Sequence, residues 1–168
     1  MLRLAGAIDR LTTAIGRGAA WLVLILVLLQ FLIVLLRYVF GLGSVWLQEA
    51  VVYTHAFAFL LAAAWALAIG AHVRVDIFYR DAKPRARALI DLFGAIVFLL
   101  PMTGLILWLS LPYAARSWAI LERSRETAGI PAVFLLKTAI PLFAALLILQ
   151  GIAQILRAAA RLGGRRES

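Results

Sequence analysis

The sequence predicts an all-α membrane protein with four transmembrane helices, both termini cytoplasmic, and an N-terminal amphipathic helix lying at the interface. Three observations lead there. Four long apolar stretches, at 19–36, 51–69, 89–109 and 131–156, are separated by arginine-containing connections. Each approaches the ~20 apolar residues that a helix needs to cross a hydrocarbon core of about 30 Å. Of the 168 residues, 65% are hydrophobic and only 15% charged, with a mean hydropathy of +1.00, whereas soluble domains carry about 25% charged residues. The length allows one unit, a single four-helix domain over 1–168.

Residues 2–17 precede the first apolar stretch. Leu4, Ile8, Leu11 and Ile15 share one helical face, while Arg3, Arg10 and Arg17 recur every seventh residue on another. Such a helix can lie in the headgroup plane with its arginines toward anionic lipid. The apolar run that follows exceeds the ~7–15 residues of a secretory signal core, so it reads as an uncleaved first span. With their flanks the spans cover about 19–40, 46–70, 88–111 and 131–157.

Span two carries small residues at every fourth position, namely Ala50, Thr54, Ala58, Ala62, Ala66 and Gly70. Small residues let helix backbones approach closely in lipid. A four-residue step drifts around a 3.6-residue helix, so about three consecutive steps can face one partner. That partner is either a helix of this chain or another subunit. Span three contains Pro101, expected to kink it, with Pro112 at its outer end. Span four opens at Pro131, a favourable first-turn residue, and holds Pro141 inside.

The net charge of +9 does not point to nucleic acid, because the arginines gather at helix ends, as topology and anionic headgroups require. The N-terminal segment has three Lys and Arg, the 71–88 connection five and the tail from Arg157 four, making twelve; the other side has Arg37, Arg116, Arg123 and Arg125. Positive charge follows the cytoplasm, so the first and third connections face outward. The chain has no cysteine and hence no disulfide or thiolate metal site.

Ionisable residues at membrane depth are costly and mark candidate sites. Arg37 and Glu49 flank the first outward hairpin and can pair across it, beside Trp46 as an interfacial anchor. A contact of this pair to a partner subunit is the alternative. His55, two turns into span two, reads as hydrogen-bonded within the bundle. His72 and Asp76, four apart, can bond each other if the helix continues. Lys137 lies near the outer end of span four, where its stem reaches the interface. Gln30, His55, Thr103 and Gln150 are too sparse for a transport path, which needs polar groups converging at mid-membrane. No nucleophile–base arrangement, phosphate loop or metal-ligand cluster is present, so an enzyme is not expected and no cofactor is implied. The residues alone support a structural four-helix subunit beside a larger partner.

A resemblance takes this further. Arg37-Tyr38-Val39-Phe40-Gly41, then Trp46 and Glu49, then Gly70-Ala71-His72-Val73-Arg74-Val75-Asp76 resemble the small membrane subunit of tripartite ATP-independent periplasmic (TRAP) transporters, the DctQ-like family. Glu122-x-Ser124, Gly129-Ile130-Pro131, Lys137, Ile140-Pro141 and Gln150-Gly151 add to the likeness, which covers roughly 5–157. The resemblance implies a bacterial inner-membrane subunit packed on the large TRAP membrane subunit. The large subunit moves a solute, commonly an organic acid, delivered by a periplasmic solute-binding protein and driven by an ion gradient, commonly sodium. Substrate and cation sites belong to the large subunit, and a docking role for the small one is left open. Arg37, Tyr38, Trp46, Glu49, the span-two stripe, His72, Asp76, Glu122, Ser124, Pro131, Lys137 and Pro141 become candidates for the subunit interface or for holding the fold. Two other readings stay open, a self-sufficient small transporter or channel with Glu49 as its coupling carboxylate, and the membrane anchor of a redox complex.

Overall fold

The computed structural model describes residues 2–72 and 83–163. These form four helices long and apolar enough to cross a membrane: α1 (Leu2–Val39), α2 (Val45–Ala68), α3 (Pro84–Ala119) and α4 (Val133–Leu162). The sequence reading of an all-helical chain with four spans holds. The two short connections, 40–44 and 120–132, lie at one end of the bundle, called here the hairpin end. The start of α1 and the end of α4 lie at the other.

The N-terminal segment departs from expectation in one respect. It is helical, but it runs unbroken into span one as a single 38-residue helix, about 57 Å long at 1.5 Å per residue. Only part of its apolar face turns inward: Ile8 is buried and Ile15 packs against the core. Ala5, Ile8, Thr12, Gly16 and Ala19 are buried, while Leu4 and Leu11 are exposed. In lipid no hydrophobic force distinguishes protein from solvent, so close-packing small residues turn inward and large apolar ones outward. Ala5 and Ile8 pack on Ala153 of α4, flanked by Leu149 and Leu156.

The α1 helix ends at a glycine. Gly41 has φ +66°, which only glycine adopts without strain, and Leu42 N–H returns to Leu36 C=O at 2.9 Å. Ser44 then caps α2, its Oγ accepting from Leu47 N–H at 3.3 Å. At the far end of α2, Gly70 has φ +70° and Ala71 N–H bonds Ala66 C=O at 2.8 Å. Both motif glycines are helix stops.

Helix α3 changes register midway. An α segment, Pro84–Gly94, passes into a π turn, Ala95–Leu99, and then into a second α segment, Leu100–Ala119. Leu100 N–H reaches back five residues to Ala95 C=O. Pro101 follows at once, and the widened turn accommodates the ring and the missing donor that an α-helical turn would not. Thr103 Oγ1 donates to Leu99 C=O at 2.6 Å. The expected irregularity at Pro101 therefore takes the form of a π bulge, seated on Gly151 of α4, where a Cβ would lie 3.0 Å from Leu99 Cδ2.

Helix α4 is central and packs against all three others, while α3 packs mainly on α4. In its most apolar stretch 44% of residues are buried, against 6% in that of α1. The main core cluster joins Ala64 and Leu67 of α2 to Leu146 and Leu147 of α4, with Ile15, Leu99 and Phe143 against it. Pro141 is buried inside α4. Pro131 precedes the helix, which starts at Val133 after Ala132 as N-cap, so it does not occupy the first turn.

Candidate functional site

The hairpin end is organised by one carboxylate. Glu49 sits one turn into α2. Its Oε2 accepts the backbone N–H of Ile130 at 2.5 Å, and its Oε1 accepts the hydroxyl of Ser124. Ser124 Oγ in turn accepts Glu126 N–H at 3.1 Å. A carboxylate accepts only, so two donors from one loop fix both oxygens. Gly129 completes the unit, because a Cβ there would lie 2.7 Å from Glu49 Oε1 and 2.5 Å from Ser124 Cβ. The loop closes on itself through Gly129 N–H to Glu126 C=O at 3.0 Å and Val133 N–H to Glu122 C=O at 3.0 Å. Glu49, Ser124, Gly129 and Ile130, distant in sequence, are thus one device that ties the first hairpin to the third connection.

A second device ties α3 to α4 beside it. Lys137 Nζ meets Glu122 Oε2 at 2.5 Å and lies 4.2 Å from the centre of the Tyr113 ring. Trp118 Nε1 donates to Thr138 Oγ1 at 2.8 Å, and its ring packs on Phe134 at 4.5 Å. The hydrogen bond from Lys137, with Ser117 nearby, holds the Glu122 carboxyl below its ordinary range. Arg116, Arg123, Arg125 and Glu126 are exposed around this platform.

The expected pairing of Arg37 with Glu49 is not formed among the described residues. Glu49 is taken by the 124–130 loop, and Arg37 is exposed beside Leu42, Gly43 and Ser44. Tyr38 and Trp46 are 80% and 52% exposed, as interfacial aromatics should be. In the span-two stripe Ala58 is buried, Ala62 and Ala66 are half-buried, and Gly70 is exposed with nothing within 4 Å of a Cβ. Gly70 serves chain direction, and the packing positions are Ala58, Ala64 and Leu67. His55 is exposed, stacked along Phe59 at 6.3 Å, and among the described residues has no hydrogen bond inside the bundle. His72 is exposed; Asp76, with the proposed His72–Asp76 contact, lies outside the described residues.

The opposite end holds a network that the sequence reading missed. Gln150, fully buried in α4, donates from Nε2 to Asp9 Oδ1 at 2.9 Å. Its Oε1 accepts from Thr12 Oγ1 at 3.0 Å. Arg157 pairs with the other Asp9 oxygen. One signal was available: Asp9 is the lone acid in a segment with three arginines, three residues before Thr12 on the face that packs. Gly16 was missed as well; a Cβ there would lie 2.6 Å from Trp65 Cγ, so α1 and α2 approach through it.

A bundle of four long apolar helices, with charged groups tied off at its two ends, defines a multi-pass membrane protein whose polar chemistry fastens helices and connections together. Residues 9–161 match the family model described as DctQ, the DctQ component of tripartite ATP-independent periplasmic transporters. The match covers most of the chain, and the protein belongs to that family. Comparisons with curated proteins and with solved structures return no match.

Proposed function

We propose that this chain is the small permease subunit of a TRAP transporter of the bacterial inner membrane, a fixed scaffold on which the large membrane subunit is held. In this reading both termini are cytoplasmic and the hairpin end faces the periplasm, with twelve Lys and Arg on the inner side against four outside. The large subunit moves the solute, of the organic-acid kind, driven by an ion gradient, and the coupling ion binds there and not on this chain, whose Glu49 is committed to its own loop.

The observation that carries the scaffold role is that Glu49 holds the 124–130 loop with both oxygens. A coupling carboxylate must exchange its partners during transport; one fixed by a hydroxyl and a backbone N–H builds a surface instead. That surface lies where a periplasmic binding protein would arrive. Reconstitution tests the role. Proteoliposomes with both membrane subunits and the binding protein should take up solute, and those with this chain as the sole membrane subunit should not. Uptake by this chain alone would overturn the proposal and make Glu49 the first residue to study.

A further inference from the structure

A groove of 540 Å³ runs along the outer face of the α1–α2 hairpin, lined by Leu26, Val27, Phe31, Val34, Val51 and two polar residues, Gln30 and His55. Gln30 is seven residues from Arg37 and His55 six from Glu49. At 1.5 Å per residue both lie about 10 Å below the hairpin boundary, well inside a hydrocarbon core of about 30 Å. Both are exposed, and neither has a hydrogen-bond partner among the described residues. Within the four apolar stretches, tryptophans aside, they are the exposed side chains able to hydrogen-bond, and they fall in the same groove.

Acyl chains offer an amide or an imidazole nothing. A buried polar group left without a partner in an apolar medium is costly, and intramembrane polar side chains answer this by bonding across helices. The two neighbouring polar groups, set in an otherwise apolar groove, therefore call for a helix that brings its own donor or acceptor to that depth. We propose that this groove is the docking seat for a transmembrane helix of the large subunit, which presents a hydrogen-bonding side chain to Gln30 and His55. The inference rests on the scaffold reading above and adds the face through which the scaffold is held.

The test uses the co-expressed complex with a photo-crosslinking benzoylphenylalanine placed at Phe31, in the groove, or at Phe98, on α3. Both positions are 65% exposed, so only the face differs. An adduct between this chain and the large subunit from Phe31 and not from Phe98 is the expected result. An adduct from Phe98 alone keeps the complex and overturns the docking face. An adduct with a second copy of this chain from Phe31 overturns the choice of occupant. Absence of the large subunit from the purified material removes the scaffold reading itself. In parallel, the double variant Gln30→Leu, His55→Leu should lower the yield of complex by about three-fold or more and leave the thermal stability of the isolated chain undiminished. Unchanged complex from that variant contradicts the polar contact.

Discussion

The carboxylate of Glu49 in α2 accepts the backbone N–H of Ile130 at 2.5 Å across 81 positions of sequence. Through that bond the shortest connection of the bundle and the 120–132 connection behave as one surface. Removing either partner leaves the other oxygen or N–H to find water or strain, which makes the contact sensitive out of proportion to its size.

Gly129→Ala should open this loop, because the added methyl would lie 2.7 Å from Glu49 Oε1. Arg123 and Arg125 are exposed within it, so trypsin reports its order. Faster cleavage there is expected in Gly129→Ala and in Glu49→Ala, and an unchanged rate in Arg37→Ala. Equal rates in all three would show that Glu49 does not hold the loop.

The pair of Glu122 and Lys137 makes the hairpin end sensitive to acid. Glu122 has its carboxyl pKa depressed below 4.5 in the folded chain, chiefly by the Lys137 hydrogen bond. Its stabilising contribution is therefore fully present above the unfolded value and is lost as pH falls through the folded one. Thermal unfolding in detergent should show a loss of stability on acidification below 4.5 that is smaller in Lys137→Met. The same acid sensitivity in the variant would remove the pair as its cause.

Gly16 should tolerate no side chain. Gly16→Ala places a methyl 2.6 Å from Trp65 Cγ, and overpacking of this kind costs roughly 1–3 kcal/mol. Trp65→Ala in the same chain should recover part of the loss, since the two changes share one contact. Additive losses in the double variant would place the strain elsewhere.

At the opposite end, Asp9→Ala should cost more than Gln150→Leu. Asp9 serves both Gln150 and Arg157, so its removal strands a buried amide and a cation, at about 1–3 kcal/mol for the amide. Gln150→Leu fills the same space with an apolar group and leaves Asp9 its arginine. Denaturation midpoints of the two variants give the order, and the reverse order would show that Gln150, not Asp9, organises the network.

The fold was legible because apolar length and proline position are local properties. The four spans and the irregularity at Pro101 follow from short windows of sequence, whereas Gly70, grouped by spacing with the packing residues, is a helix stop. What was not legible depended on tertiary distance. Glu49 stood out as a charge at the membrane boundary, yet spacing favoured Arg37, a hairpin away, over Ser124 and Ile130, which α3 and α4 bring back. In the N-terminal segment Ala5, Gly16 and Ala19 pack inward while Leu4 and Leu11 face outward, an arrangement that close packing in lipid favours and that the apolar pattern alone does not reveal. Asp9 drew no notice among the arginines of its segment and Gln150 counted as a sparse polar residue, and the approach of α1 to α4 makes them partners.

The central claim is that this chain is a scaffold for a larger membrane protein. The most direct measurement is to tag it, express it with its genomic neighbours, purify it in mild detergent and weigh the assembly by native mass spectrometry. A stable one-to-one complex with a large polytopic membrane protein is the result expected. A homo-oligomer of this chain, with no larger subunit bound, would contradict the account.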